Sequence, residues 1–200
     1  MSRINKLTLA LAALVVFGLG APAAKADDCT VPGNLVTNCG FETGTFAGWT
    51  QSGNPAFTSV GAAAAHSGSF GASLGPTITP GFLTQNLVTV PGATYNLSFW
   101  LANLGGTPNS FTASFNGVIV TTLTNSATFG YTLFTVNGLL ATGASTQLQF
   151  GFRQDPSFWN FDDVVVVPAG AAAVPEPMTL VLLGTGLAGV AAKLRRRKVT

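Results

Sequence analysis

Apolar and polar residues alternate with a period of two along much of the stretch between residues 80 and 167, in short runs broken by turn-forming pairs. In Tyr95–Leu101 the side chains of Tyr95, Leu97, Phe99 and Leu101 share one face, and Asn96, Ser98 and Trp100 the other. Phe111, Ala113 and Phe115 oppose Thr112, Ser114 and Asn116 in the same way, and Leu148, Phe150 and Phe152 oppose Gln147, Gln149 and Arg153. Because successive side chains leave a strand on opposite sides, this pattern predicts strands with one face in the core and one in water. Phe161–Val167 becomes apolar on both faces and predicts a closing strand. Asn116-Gly117 supplies the positive φ angles of a tight hairpin turn, and Asn137-Gly138, after Tyr131–Val136, is read as a second such turn. Pro80-Gly81 and Pro91-Gly92 bracket a further strand over Phe82–Val90. Eight or so short strands, with no amphipathic helix of useful length among them, predict an all-β, antiparallel two-sheet sandwich.

The two ends of the chain follow other patterns. Arg3 and Lys6 precede an uncharged Leu7–Leu19, a break at Pro22 and the small-x-small triplet Ala24-Lys25-Ala26. That arrangement predicts a secretory signal peptide over residues 1–26. At the other end Val-Pro-Glu-Pro at 174–177 precedes the apolar run Met178–Ala192 and a cluster of Lys193, Arg195, Arg196, Arg197 and Lys198. The 16 uncharged residues between Glu176 and Lys193 reach about 24 Å as a helix, somewhat short of a hydrocarbon core of about 30 Å. Snorkelling by Lys193 and Arg195 lengthens the span, so a membrane helix is expected over 178–194, with the basic tail 193–198 on the cytoplasmic side. Residues 27–170 between these segments are one domain's worth of chain.

Charge changes the picture of the domain. Eight of the nine basic residues lie in or beside the two end segments, leaving Arg153 as the only base against Asp27, Asp28, Glu42, Asp155, Asp162 and Asp163, a formal −5. Nucleic acid is not an expected partner, because neutralising phosphates requires clustered Lys and Arg. From Thr43 to Phe152 there is no Asp, Glu, Lys or Arg, and His66 alone could titrate near neutral pH. We read His66 as a loop hydrogen-bonder. A glycosidase needs two carboxylates flanking a cleft, and the available acids lie close to the chain ends. Neither a Gly-x-Ser-x-Gly elbow nor a His-Glu-x-x-His pair is present, so no enzyme activity is expected. Cys29 and Cys39, just behind the signal peptide, are expected to form a disulfide in an oxidising compartment, with two free thiols as the alternative.

The tail resembles the PEP-CTERM sorting signal of exported Gram-negative bacterial proteins, in which Pro-Glu-Pro precedes one membrane helix and an Arg-rich end. Pro175, Glu176 and Pro177 match the motif, and Leu180–Ala192 with Arg195, Arg196 and Arg197 match the rest of a segment over residues 171–200. The resemblance implies a membrane-embedded exosortase as a partner that removes the tail. The chain would then sit in the inner membrane during sorting and afterwards at the cell surface or in the extracellular matrix. A permanent C-terminal anchor is the alternative.

Within the domain, Asn34-Leu35-Val36-Thr37-Asn38-Cys39-Gly40-Phe41-Glu42-Thr43-Gly44, running on to Gly48-Trp49, resembles the opening of jelly-roll carbohydrate-binding-module-like domains. His66-Ser67-Gly68-Ser69-Phe70 and the closing Phe161-Asp162-Asp163-Val164 resemble later parts of the same domains. The resemblance implies a jelly roll and a structural calcium where the first and last strands meet. Its ligands would be the carbonyl of Gly40, the carboxylate of Glu42, a carbonyl of the His66–Phe70 loop, and Asp162. Alternatively Glu42 caps a turn by accepting backbone N–H bonds, and the aspartates are solvated. On an ideal strand Asp162 and Asp163 point to opposite faces, so only one would face the metal.

Solvent-facing aromatic rings beside amides would make a sugar-binding surface, since a pyranose stacks on a ring while amides satisfy its hydroxyls. The candidates are Trp100, Trp159, Gln147, Gln149 and Arg153, whereas Trp49 is read as core. The alternative reading makes them packing rings and solubilising amides. Together the readings predict an exported, non-catalytic protein of the cell surface or exopolysaccharide matrix that binds glycan. The alternative is a structural or adhesive matrix protein without sugar binding.

Overall fold

A computed structural model describes residues 28–170 of the chain. The expected signal peptide over 1–26, the sorting motif at Pro175, Glu176 and Pro177, and the expected membrane helix lie outside the described residues.

Ten strands form two five-stranded sheets. They are β1 (Thr50–Gly53), β2 (Thr58–Gly61), β3 (Gly71–Leu74), β4 (Gly81–Val88), β5 (Thr94–Asn103), β6 (Asn109–Phe115), β7 (Val118–Thr124), β8 (Phe129–Leu140), β9 (Ser145–Gln154) and β10 (Trp159–Pro168). One sheet has the order β1-β4-β9-β6-β7 and the other β2-β3-β10-β5-β8, and every pairing is antiparallel. The expected all-β jelly-roll sandwich is the observed architecture. Alternation explains why the sheets stack: in β6 the residues Phe111, Ala113 and Phe115 are buried while the polar residues between them are half-exposed. The inward rings meet across the sandwich, Phe150 of β9 against Phe161 of β10 at 4.7 Å between centroids and Phe99 of β5 against Phe111 of β6 at 5.7 Å. Contacts of this kind are the offset and edge arrangements that aromatic quadrupoles favour.

Strand β10 lies at the centre of its sheet and is buried from Trp159 to Val166. The N-terminal segment covers part of it, with Leu35 N–H donating to the Val166 carbonyl at 2.9 Å. The expected Cys29–Cys39 disulfide is present, with Cα atoms 5.8 Å apart. It pins that segment, and the Cys39 carbonyl accepts the Val164 N–H at 3.0 Å.

Three local expectations change. Asn116 (φ 54°) and Gly117 (φ 76°) make the hairpin turn between β6 and β7, but Asn137-Gly138 makes no turn. Strand β8 runs through it, and Gly138 (φ 73°) sits in a bulge where the register against β5 slips between Tyr95 and Leu97. The same tolerance of positive φ serves both uses, and pairing to a long neighbour decides which. Strands β1, β2 and β3 are four residues each and were not foreseen, because segments that short show too little alternation to stand out. Asp162 and Asp163 do not point to opposite sides: a bulge between Asp162 and Val165, with Asp163 at φ 51°, turns both toward the same loop.

Candidate functional site

The outward face of the β1-β4-β9-β6-β7 sheet is mostly polar and almost uncharged, with exposed Val88 and Ile119 at one end of it. Register aligns its side chains in rows across the strands: Asn86 beside Gln147, then Thr84, Gln149 and Ser114, then Ser52, Phe82, Gly151 and Thr112, then Arg153 and Ser110. Phe82 is the aromatic residue of this face, half-buried among half-exposed and exposed polar neighbours on β4. Glycines make room for its ring on both flanks. A Cβ on Gly151 would lie 2.9 Å from the Phe82 ring, and a Cβ on Gly53 would lie 2.8 Å from it. The ring therefore spreads across β4 between its neighbours β1 and β9, where any larger side chain at either glycine would displace it.

Around the ring the amides are held but not used up. Gln149 donates from Nε2 to Thr84 Oγ1 at 3.1 Å, and Gln147 is exposed. Arg153 donates from Nε to Asp155 Oδ2 at 2.8 Å, with a second guanidinium nitrogen 2.6 Å from the same oxygen. That pair is partly exposed and orients the guanidinium more than it stabilises the fold. Three of the expected glycan-binding residues, Gln147, Gln149 and Arg153, thus share one face.

The two tryptophans do not join them. Trp159 is 0 % exposed, packed against Phe111 and Phe129, with its indole N–H donating to the Arg153 carbonyl at 3.0 Å. A buried ring cannot stack on a sugar, so its assignment as a surface residue is corrected. Trp100 lies on the other sheet, where the His66 ring stacks on it at 3.9 Å between centroids. Phe82 was missed because an aromatic residue is read as core by default. Its parity with Thr84 and Asn86, both on the polar side of β4, was the available signal.

A second cluster surrounds the His66–Phe70 loop. Glu42 accepts the Ser69 N–H at 2.9 Å and the Phe70 N–H at 2.9 Å. Asp162 Oδ2 accepts the N–H groups of His66 at 2.7 Å and Ser67 at 3.2 Å, and its Oδ1 accepts the Asp163 N–H at 2.8 Å. Asp163 lies 2.6 Å from His66 Nδ1 and accepts the Ser67 hydroxyl at 2.7 Å. His66 is the loop hydrogen-bonder expected from sequence. Tyr131 closes the cluster by donating its hydroxyl to the Ala64 carbonyl. Burial, followed by the charges of Asp162 and Asp163, pushes the Tyr131 pKa well above the usual phenol range. Asp162 is pushed up to about 8, first by burial and then by the charge of Asp163, against the pull of its N–H donors.

Glu42, the loop and Asp162 therefore meet, as the calcium expectation required. They meet through N–H donors rather than carbonyl oxygens, and among the described residues no group of three acidic, His or Cys side chains is placed to hold a metal. A cation at this place would have to displace some of those N–H bonds.

Comparison with known proteins accords with the fold. The structure is similar to that of TmCBM61, solved in complex with β-1,4-galactotriose, with a TM-score of 0.56 at 19 % identity, covering 68 % of this chain and 99 % of that one. It is similar to the C-terminal family 22 carbohydrate binding module of Clostridium thermocellum Xyn10B, with a TM-score of 0.51 at 16 % identity over 70 % of this chain and 98 % of the other. A family 16 carbohydrate binding module matches with a TM-score of 0.50 at 22 % identity, over 67 % of this chain and 99 % of that module. No curated protein sequence matches the chain. Residues 173–197 match the PEP-CTERM protein-sorting motif. Residues 33–166 match the carbohydrate binding domain family over most of the chain, and the protein belongs to that family.

Proposed function

We propose that this is an exported, non-catalytic surface protein that binds a neutral polysaccharide on the outward face of the β1-β4-β9-β6-β7 sheet. The observation that carries the reading is the Phe82 ring, spread between Gly53 and Gly151 in rows of amides and hydroxyls. A ring lying along the sheet offers an apolar surface to a pyranose, and Asn86, Gln147, Gln149 and Arg153 offer donors and acceptors to its hydroxyls. A face with so little charge suits an uncharged chain better than a polyanion.

Affinity electrophoresis of the exported protein in gels cast with β-1,4-galactan, xylan or the host's own matrix polysaccharide tests this. Retardation by at least one of them is expected, and Phe82→Ala should weaken that binding about tenfold, the equivalent of ~1.4 kcal/mol of lost stacking. Trp100→Phe, on the opposite sheet, should leave it unchanged. Migration unaffected by all of them would favour a structural or adhesive role.

The tail belongs to the same proposal. An exosortase recognises Pro175, Glu176 and Pro177 outside the membrane and removes the helix and basic end, leaving the domain at the cell surface or in the matrix. The mature protein in a host with that enzyme should lack residues 178–200 by intact mass. A full-length C-terminus there would leave a plain membrane anchor.

A structural calcium held by the Gly40 carbonyl, Glu42 and Asp162 completes the proposal. Two adjacent buried carboxylates with only one histidine beside them favour a compensating cation, and the N–H bonds it must displace oppose it. Calcium at about one hundred times its dissociation constant should add about 2.7 kcal/mol to the unfolding free energy of the domain by mass action. Thermal unfolding that is identical in chelator and in millimolar calcium would remove the metal from the proposal.

A further inference from the structure

The end of the sandwich from which the chain leaves toward its tail is apolar and uncharged. Strand β10 finishes there, with Pro168 opposite Tyr95 and the Ala169 N–H donating to the Thr94 carbonyl at 2.8 Å. Register and hydrogen bonds gather the neighbouring turns at the same end. Thr94 pairs with Leu140, Gly92 N–H donates to the Ala141 carbonyl, Val88 pairs with Ser145, and Asn116 Nδ2 donates to Thr142 Oγ1. The large apolar side chains there point into solvent: Val88 is 82 % exposed, Val90 64 %, Val118 63 %, Ile119 62 % and Leu140 54 %. A shallow cavity of about 300 Å³ separates Val118 from Leu140. From β4 to β7 this rim crosses three strand spacings, about 14 Å. No acidic, basic or histidine residue occurs in the segments 86–94, 116–120, 138–146 and 167–170, or in residues 31–34, whose Gly33 approaches Pro168.

We infer that this rim rests on the lipid surface while the tail is still attached. The inference depends on the anchored tail of the proposal above. Gly170 is eight residues before Met178, where the apolar run begins, and eight extended residues reach at most about 29 Å. The tether therefore keeps this end, rather than the opposite one, within about 29 Å of the bilayer, and a contact too weak for a free domain becomes populated at that effective concentration. Valine, isoleucine and leucine side chains without neighbouring Lys or Arg suit the interface between headgroups and acyl chains, and the domain's formal −5 rules out attraction to anionic lipid as the cause. Docked this way, the domain stands upright over its tail, with the Phe82 face on its side and open to polysaccharide.

The test uses the exported, unprocessed chain, residues 27–200 without the signal peptide, in phosphatidylcholine vesicles carrying bromine on their acyl chains, which quenches tryptophan that reaches them. The native tryptophans lie at Trp49, Trp100 and Trp159, so the parent chain supplies the background. Ile119→Trp and Leu140→Trp place probes on the rim, and Phe57→Trp, at a position 64 % exposed beside Gly75, Thr77 and residues 156–158, places one away from it. Bromine should quench the added emission of both rim variants at least twofold more than that of Phe57→Trp, and the difference should persist in 1 M salt. Equal quenching in chains that float with the vesicles and resist carbonate extraction would overturn the docking while leaving the anchor intact. Chains that carbonate extracts would overturn the anchor and the docking together. Rim emission that shifts to the blue without quenching would mean that protein, a second copy or the linker, covers the rim instead, and would also overturn the inference.

Discussion

Phe161→Ala is expected to remove about 3–5 kcal/mol from the stability of the domain, a large part of the roughly 5–15 kcal/mol that such domains possess. Phe161 is 0 % exposed and contacts four rings, Phe150 at 4.7 Å, Phe99 and Phe111 at 5.7 Å, and Phe41 at 5.9 Å between centroids. These partners belong to β9, β5, β6 and the N-terminal segment, so the cavity would open where both sheets and the cover meet. None of them can move in to fill it without giving up another contact. Phe161→Leu retains much of the volume and should cost much less. The urea midpoint of the exported protein, read with an unchanged m-value, measures both. A loss under about 1 kcal/mol for Phe161→Ala would contradict a close-packed aromatic centre.

Replacing Cys29 and Cys39 together by serine is expected to cost about 3 kcal/mol, the loop-closure term for a bridge of this span. The bridge closes a loop with a sequence separation of 10, and it holds the segment whose Cys39 carbonyl receives the Val164 N–H of the central strand β10. Loss of the bridge should therefore lower the melting temperature and leave polysaccharide retardation unchanged, because the Phe82 face is built from β1, β4, β9 and β6. Two alkylated thiols in native exported protein, or a double variant as stable as the parent, would refute the structural role given to the bridge.

Local sequence carries the sandwich because period-two alternation is a local code. Phe111, Ala113 and Phe115 declare an inward face without knowing which strand they will meet, and Leu148, Phe150 and Phe152 do the same. The same code failed where two uses of one local preference compete. Asn116-Gly117 turns the chain, whereas Asn137-Gly138 is carried straight through β8 because a bulge against β5 accommodates the same positive φ. Asp162 and Asp163 were separated on an ideal strand, and only the slip in register beside Trp100 shows that both carboxylates serve one loop.

For the Phe82 face, sequence determined the chemistry and tertiary structure determined the membership. The charge-free stretch, the amides of β9 and the sorting segment are written in residue type, and they were the basis for expecting a non-catalytic protein without a nucleic-acid partner. Which rings face water is not written there, since an aromatic side chain satisfies a core position and a sugar platform equally well. Pairing of β4 with β1 and β9 put Gly53 and Gly151 on either side of Phe82, while the stacking of the sheets took Trp159 into the core and the folded loop laid His66 over Trp100. Those outcomes depend on residues tens of positions apart meeting, which no local pattern encodes.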